Sequence, residues 1–330
     1  MIVPASLVSF LQEGSSFFLV SHQDPDGDAI ASSLVLGSIL SRMGKNILLC
    51  SPGPWNRVEI EEYENLYVNS LPAEFIKKSP RMLALDSSTP ERLGVFAKEI
   101  DSFPCAMIDH HSSGEPFGEI QYCDPSMPST TALIRKVAEA LETEITKEEA
   151  WMLLFGLATD TGFFKHLEEN SAPVLSLASE LCSYGVSLKD VHSKIYSGKR
   201  LKSRILLGKT LESTESLFDG RILFTYESLE DLKRCGASAR DSDRVYELLQ
   251  SVRNCEAVFF FRQEDEDQVS VGLRSNYNLD VGTLAQNYGG GGHRKAASFQ
   301  FTGKTEEIRK ILVLELEGLL KTSAAPAGIG

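Results

Sequence analysis

Phe17-Phe18-Leu19-Val20-Ser21-His22-Gln23-Asp24-Pro25-Asp26-Gly27-Asp28 decides the fold. Its first four residues form an apolar run with aromatic and β-branched members, the composition of a buried strand. The stretch from Ser21 to Asp28 is polar throughout, broken only by Pro25 and Gly27. From Ala29 to Met43 apolar residues recur at helical spacing, with Ile30, Leu34, Ile39 and Leu40 among them, and Gly44 is a stop signal. Ile47 to Cys50 is a second short apolar run. Strand, polar loop, helix and strand in this order open a parallel α/β sheet. Such sheets bind ligands on the loops that follow strand carboxyl ends, which makes His22 to Asp28 the first candidate site.

Working outward, two more apolar runs end in the same way. Met82-Leu83-Ala84-Leu85 finishes on Asp86, and the run from Phe103 to Ile108 finishes on Asp109-His110-His111. Residues 52–80 are irregular, punctuated by Pro52, Pro54, Pro72 and Pro80. Helical patterns follow over Ser129–Leu141 and Lys147–Phe164, the second holding Asp160, and further helices over 171–183 and 187–196. Residues 198–212 carry Lys199, Arg200, Lys202, Arg204 and Lys209 and read as a basic helical connector. Beyond it, strands are expected at 213–218, 221–226, 255–263, 268–274 and 296–301, and helices at 228–235, 241–250, 280–288 and 305–320. The expected fold is α/β. A mainly parallel sheet flanked by helices spans 1–196, and the connector spans 197–212. A smaller α/β domain with a mixed sheet spans 213–322, and a disordered tail covers 323–330.

At 330 residues the chain is long enough for two domains, each with its own core. A net charge of −13 disfavours long duplex nucleic acid as a partner but allows a short phosphorylated substrate in a local pocket. The six cysteines are scattered with no C-x-x-C pair, so they read as reduced thiols of a cytoplasmic protein. The first basic side chain is Arg42, so the positive start of a signal peptide is missing. No apolar stretch reaches membrane-spanning length, and no membrane partner is expected.

The polar residues at the strand ends, with one from a helix, are His22, Asp26, Asp28, Asp86, His110 and Asp160. Four carboxylates and two imidazoles packed together repel one another unless cations share the space. Two divalent ions turn the set into a two-metal site. Oxygen-rich ligation with a little imidazole suits Mn²⁺, with Mg²⁺ or Fe²⁺ as alternatives. Such a pair clamps the attacking and leaving oxygens of a displacement at phosphorus and generates hydroxide at neutral pH. Taken singly each residue is weak evidence, since Asp24, Asp26 and Asp28 could simply cap the next helix. The joint pattern is what counts.

In this order and spacing, His22-x-x-x-Asp26-x-Asp28, Asp86, Asp109-His110-His111 and Asp160 resemble the four-motif signature of the DHH phosphoesterase superfamily. The glycine run ending in His293, followed by Arg294-Lys295-Ala296-Ala297, resembles the DHH-associated C-terminal domain. In size and layout the chain is similar to the NrnA-type group of oligoribonucleases and 3′,5′-bisphosphate nucleotide phosphatases.

The resemblance implies two metal ions, one held by His22, Asp26 and Asp86 and the other by Asp28, Asp86, His110 and Asp160, with Asp86 as the bridge. It implies that His111 contacts the scissile phosphate or assists the leaving oxygen, while Asp109 orients a histidine from behind. It also implies a substrate grip built from Arg274, Gly290, Gly291, Gly292, His293 and Arg294. From the residues alone, the glycines could cradle an anion or merely end a loop, and Arg274 could be an ordinary surface side chain. The implied substrates are short oligoribonucleotides, linear dinucleotides or bisphosphate nucleotides, and a homodimer is allowed. A cyclic dinucleotide phosphodiesterase and a non-catalytic nucleotide sensor are the alternatives. His166 and His192 have no partners by spacing, and Phe259-Phe260-Phe261 reads as sheet core because alternation sends its rings to both faces.

Overall fold

A computed structural model describes residues 2–167, 171–236 and 239–322. The chain divides into two compact units, Met1–Gly198 and Lys199–Gly330. The tail expected over 323–330 lies outside the described residues.

The first unit runs α1 (Ala5–Glu13), β1 (Ser16–Ser21), α2 (Gly27–Arg42), β2 (Asn46–Cys50), α3 (Ala73–Ile76), β3 (Arg81–Leu85), β4 (Cys105–Asp109), β5 (Ile120–Cys123), α4 (Thr130–Ala140), α5 (Lys147–Asp160), α6 (Ala172–Ser183) and α7 (Leu188–Tyr196). The strands are parallel, in the order β2-β1-β3-β4-β5. The chain leaves β1 for β2 on one side and returns to β3 on the other. That reversal is where an open α/β sheet offers a crevice at its carboxyl edge. The register sets Ser21 beside Leu85 and Leu85 beside Ile108, so the residues that follow these strands emerge next to one another.

Both faces of this sheet are buried, which is why its strands read as unbroken apolar runs. Phe17, Leu19, Leu83, Leu85, Ala106 and Ile108 join the core shared with α2, α4 and α5. Phe18, Val20, Met82, Ala84, Cys105 and Met107 face the other way, towards Leu93 and Phe96. Each fully buried Leu or Phe contributes about 1.5–3 kcal/mol, so the strand ends that bear the ionisable residues are firmly anchored.

The structure departs from the sequence expectations in several places. Helix α1 was not expected, and it buries Leu7, Phe10 and Leu11. The strand expected over 103–108 spans Cys105–Asp109, which makes Asp109 a buried strand residue. The short edge strand β5 was not expected either. The helix expected to reach Phe164 ends at Asp160, because Gly162, Phe163 and Phe164 all take positive φ and leave the right-handed helix.

The second unit runs α8 (Leu201–Glu212), β6 (Glu215–Leu217), β7 (Ile222–Glu227), α9 (Leu229–Cys235), α10 (Ser242–Gln250), β8 (Ala257–Asp265), β9 (Gln268–Ser275), α11 (Val281–Gln286), β10 (Gly291–His293), β11 (Ala296–Thr302) and α12 (Thr305–Thr322). Its sheet is mixed, in the order β10-β11-β9-β8-β7-β6, with β7–β8 parallel and the other pairs antiparallel. Phe259 and Phe261 point into a core with Leu284 and Leu312, while Phe260 points into a second one with Val245, Tyr246 and Leu249. The basic helix α8 packs Leu207 and Leu211 on that second core. Arg204 pairs with Asp241 at 2.8 Å and Lys209 pairs with Asp231, which ties α8 to the start of α10 and to α9. The glycine run is not a free turn: Gly291–His293 pairs antiparallel with β11. Among the described residues no helix is long and apolar enough to cross a membrane.

Candidate metal centre and phosphate site

Asp86 follows β3 and holds a left-handed φ of 58°, which turns its buried carboxylate into the space where three strands end. Three imidazoles face it. His22 Nε2 lies 3.6 Å from Oδ2, while His110 Nε2 and His111 Nδ1 lie 3.7 and 3.8 Å from Oδ1. Asp26 Oδ2 is 3.8 Å from His22 Nε2, and Asp160 Oδ2 is 3.0 Å from His110 Nε2. Among the described residues three sets could each hold a metal ion: His22, Asp26 and Asp86; Asp28, His110 and Asp160; and Asp86, His110 and His111. Within each set the ligand atoms lie within 4.8 Å of one another. The structure therefore brings together His22, Asp26, Asp28, Asp86, His110 and Asp160, with His111 beside them. Asp24 stays apart, its carboxylate accepting from the Asn56 amide at 2.9 Å.

Local structure fixes each of these groups. The His22 Nδ1–H donates to the carbonyl of Gln23 at 2.7 Å, and His110 Nδ1–H to the carbonyl of Met127 at 3.3 Å. In both rings Nε2 is thus the nitrogen turned towards the carboxylates, and once its proton is displaced its lone pair is placed as a metal ligand needs. The Nε2 of His22 is buried with no hydrogen-bond partner. Asp26 caps α2, accepting from the backbone N–H groups of Asp28 and Ala29 at 3.0 and 3.1 Å. Capping and the cluster thus share one carboxylate, where the sequence had set them as alternatives. Asp28 accepts from the N–H groups of Thr130 and Thr131, at 2.6 and 2.9 Å, at the start of α4. Gly156 lets α5 approach this point, because a Cβ there would overlap the Thr131 side chain.

The electrostatics fit a cation. Burial disfavours a charged His22, but the carboxylates of Asp26 and Asp86 outweigh it and raise its pKa to about 10. Burial likewise opposes charge on His110, and Asp160, Asp28 and Asp86 raise it to about 10. Burial pushes the Asp28 carboxyl well up, with help from Asp86 and Asp160. Asp160 is pushed up by burial and by Asp86 despite its bond to His110. The clustered carboxylates thus draw positive charge into the site. An orphaned imidazole nitrogen, mutually repelling carboxylates and an oxygen-rich donor set with imidazole are what a divalent ion satisfies.

Asp109 is buried, and its Oδ1 accepts from His111 Nδ1–H at 2.7 Å. The other face of the His111 ring, at Nε2, lies 3.5 Å from Arg92 Nη1. The Asp109 bond raises the His111 pKa against the effect of burial.

Sequence reasoning missed three contributors. Thr130 donates its hydroxyl to Asp86 Oδ1 at 2.8 Å, where the sequence allowed only a helix cap or a phosphate contact for residues 129–131. The cap is Ser129, which accepts from Ala132 N–H. Arg92 flanks His111, and Arg57 adds a smaller share to the lowering of the Asp26 carboxyl, which His22 chiefly holds below the usual range against the effect of burial. Their only sequence signal is a lone arginine near a strand end. His192 lies outside the three sets and packs edge-on against Phe163 at 5.0 Å.

The second unit has its own cavity of about 380 Å³. Arg274, Gly291 and Gly292 line it, together with Arg262, Tyr246 and Asp243. Gly290, His293 and Arg294 do not line it. Gly290 and Gly292 press on β11, where a Cβ would overlap Ser298 and Phe299, or Ala296 and Ala297.

Comparison with known proteins agrees with this geometry. Residues 16–157 match the model of the DHH family N-terminal domain, and residues 224–318 that of the DHHA1 domain. The chain is 33% identical over 290 residues to the bifunctional oligoribonuclease and PAP phosphatase NrnA of Thermus thermophilus, covering 87% of this chain and 84% of that one. It is 25% identical to the NrnA of Bacillus subtilis, covering 93% and 95% of the two chains. The crystal structure of an exopolyphosphatase-related protein from Bacteroides fragilis superposes with a TM-score of 0.81 at 25% identity, covering 95% of each chain. With its clustered aspartates and histidines at the carboxyl edge of a parallel sheet, and with a DHHA1 domain after it, the chain belongs to the DHH phosphoesterase family.

Proposed function

We propose that this chain is a metal-dependent phosphodiesterase and phosphatase that hydrolyses short oligoribonucleotides and 3′,5′-bisphosphate nucleotides. The observation that carries the reading is Asp86: one buried carboxylate facing three imidazoles, with Asp26, Asp28 and Asp160 around it. The oligoribonuclease and PAP phosphatase activities named for the Thermus thermophilus relative support the substrate class. The net charge of −13 favours a substrate of a few nucleotides over a long duplex. The same reading places the protein in the cytoplasm, where six unpaired cysteines remain reduced.

His22, Asp26 and Asp86 would hold one ion, and Asp28, Asp86, His110 and Asp160 the other, with Mn²⁺ best suited to these donors. Bound there, divalent ions supply positive charge to the phosphoryl oxygens and lower the pKa of water. The remaining work falls to the chain itself. Thr130 and the start of α4 keep Asp86 and Asp28 oriented. Asp109 holds the His111 ring and favours its protonated form, so that His111 can give a proton to the leaving oxygen. Arg92, beside His111, offers its guanidinium to a phosphate oxygen. In the second unit, Arg274 is assigned to a phosphate of the substrate and Gly291 and Gly292 to the wall against which it lies. Gly290, His293 and Arg294 complete the proposed grip from outside that lining.

The test is product release by the purified chain with Mn²⁺, offered a linear dinucleotide, a 3′,5′-bisphosphate nucleotide and a cyclic dinucleotide. Release of nucleoside monophosphate from the first two is expected. Hydrolysis of the cyclic compound alone would point to the cyclic dinucleotide alternative, and no hydrolysis at all would leave a nucleotide sensor.

A further inference from the structure

Most arginines of the second unit whose contacts are described are closed by carboxylates. Arg221 binds Glu256, Arg240 binds Glu227 and Glu264, and Arg309 binds Glu215. Arg262 and Arg274 are different. Both line the 380 Å³ cavity, and among the described residues neither forms an ion pair with a carboxylate. Each lies instead over an aromatic ring. The Arg274 guanidinium carbon is 4.4 Å from the centroid of Tyr246, and that of Arg262 is 5.6 Å from Phe260. The two rings touch edge to face, with centroids 5.8 Å apart at 76°. Arg262 is further tied to Ser270 Oγ at 2.7 Å and Arg274 to the Leu273 carbonyl at 3.0 Å, while the Arg262 Nε is buried without a partner.

An aromatic face fixes a guanidinium without neutralising it. A carboxylate would fix it and also consume the charge and the planar fork that bind phosphate. Space for the ring is provided by Gly272 in β9, where a Cβ would overlap the Tyr246 hydroxyl. We propose that Tyr246 is a positioning residue, which with Phe260 beneath Arg262 presents Arg274 to a phosphate of the substrate. The proposal rests on the reading of this cavity as a substrate site. Asp243, the one carboxylate among the described residues that line the cavity, adds an acceptor for a sugar hydroxyl or base amino group, so the fitting ligand is a nucleoside phosphate.

Binding of adenosine 5′-monophosphate to the full chain in EDTA tests this without any catalytic step. Tyr246→Leu is expected to weaken binding roughly tenfold, the scale of a desolvated cation–π contact. Tyr246→Phe keeps the ring and is expected to restore it, and Arg274→Ala is expected to weaken it at least as much as Tyr246→Leu. Should Tyr246→Leu fail to fold, Gly272→Ala displaces the ring instead. Adding Tyr246→Phe to Gly272→Ala removes the overlapping hydroxyl and is expected to recover binding. In protein labelled at arginine, the Arg274 Nε–H resonance is expected to carry a ring-current shift that Tyr246→Leu removes and Tyr246→Phe retains. If Arg274→Ala weakens binding while Tyr246→Leu does not, the positioning role is overturned and the substrate site stands. If Arg274→Ala binds as the unmodified chain does, the substrate site itself is overturned, and the positioning role with it.

Discussion

His111 donates its Nδ1–H to Asp109 at 2.7 Å, across two residues of one strand end. Asp109 is fully buried and His111 is half-buried, so the carboxylate behind the ring sets both its tautomer and its charge. Asp109→Asn keeps the shape and removes the charge. A fall in kcat of about 10–100-fold is expected, the usual cost of losing such an orienting partner. Mn²⁺ binding, followed by titration calorimetry, is expected to change little. The pH profile gives the sign. Asp109 raises the His111 pKa. In Asp109→Asn that pKa falls, so activity that needs protonated His111 is lost at lower pH as pH rises. A basic limb that stays in place would count against His111 as the acid.

Thr130 reaches Asp86 through its hydroxyl alone, while its backbone N–H serves Asp28. Thr130→Val therefore separates the two. The expected outcome is a normal unfolding temperature with Mn²⁺ affinity weakened about tenfold. Unchanged affinity would show that Asp86 needs no such support.

In the metal-free chain, the pKa of His22 and of His110 is raised from 6.5 to about 10. A raised histidine stabilises the fold fully below its unfolded pKa and loses that contribution as pH climbs towards the folded value. Asp28 and Asp160, also raised, act in the same direction from lower pH. Metal ions must displace these protons, so their binding tightens as pH rises. The gain in unfolding temperature on replacing EDTA with Mn²⁺ is expected to grow from pH 6 to pH 8.5. A constant or shrinking gain over that range would contradict the proton–metal exchange.

The glycines of the run are not equivalent. Gly292 has a φ of 143° and no room for a Cβ against Ala296 and Ala297. Gly291 faces open space beside the cavity. Gly292→Ala is expected to destabilise the second unit by about 1–3 kcal/mol. Gly291→Ala is expected to fold normally and to raise KM for a dinucleotide. Thermal unfolding together with steady-state kinetics distinguishes the two.

Much of this site could be read from sequence because parallel strands end together. Apolar runs that stop on His22, Asp86 and Asp109 announce a shared edge, and the register of Ser21, Leu85 and Ile108 shows why. Helix α1 shows helical spacing at Leu7, Phe10 and Leu11 but over only nine residues, and the four-residue β5 is too short to show a period. Thr130 is legible in sequence only as a cap or a phosphate contact, because its bond to Asp86 spans 44 residues and depends on how α4 meets β3. The pairing of Tyr246 with Gly272 was equally hidden, since a helix and a strand meet there only in the folded unit. In sequence the glycine run offers an anion cradle or a loop end, whereas in the fold two of its glycines answer first to close packing against β11.

The central claim is that Asp86 serves two metal ions at once. Mn²⁺ titration followed by electron paramagnetic resonance, on the unmodified chain and on Asp86→Ala, tests it most directly. Two ions per chain with a magnetically coupled signal are expected. Asp86→Ala is expected to lose the coupling, along with roughly a hundredfold or more of the turnover of a dinucleotide. An Asp86→Ala chain that keeps the coupled signal and near-normal Mn²⁺-dependent turnover would contradict it.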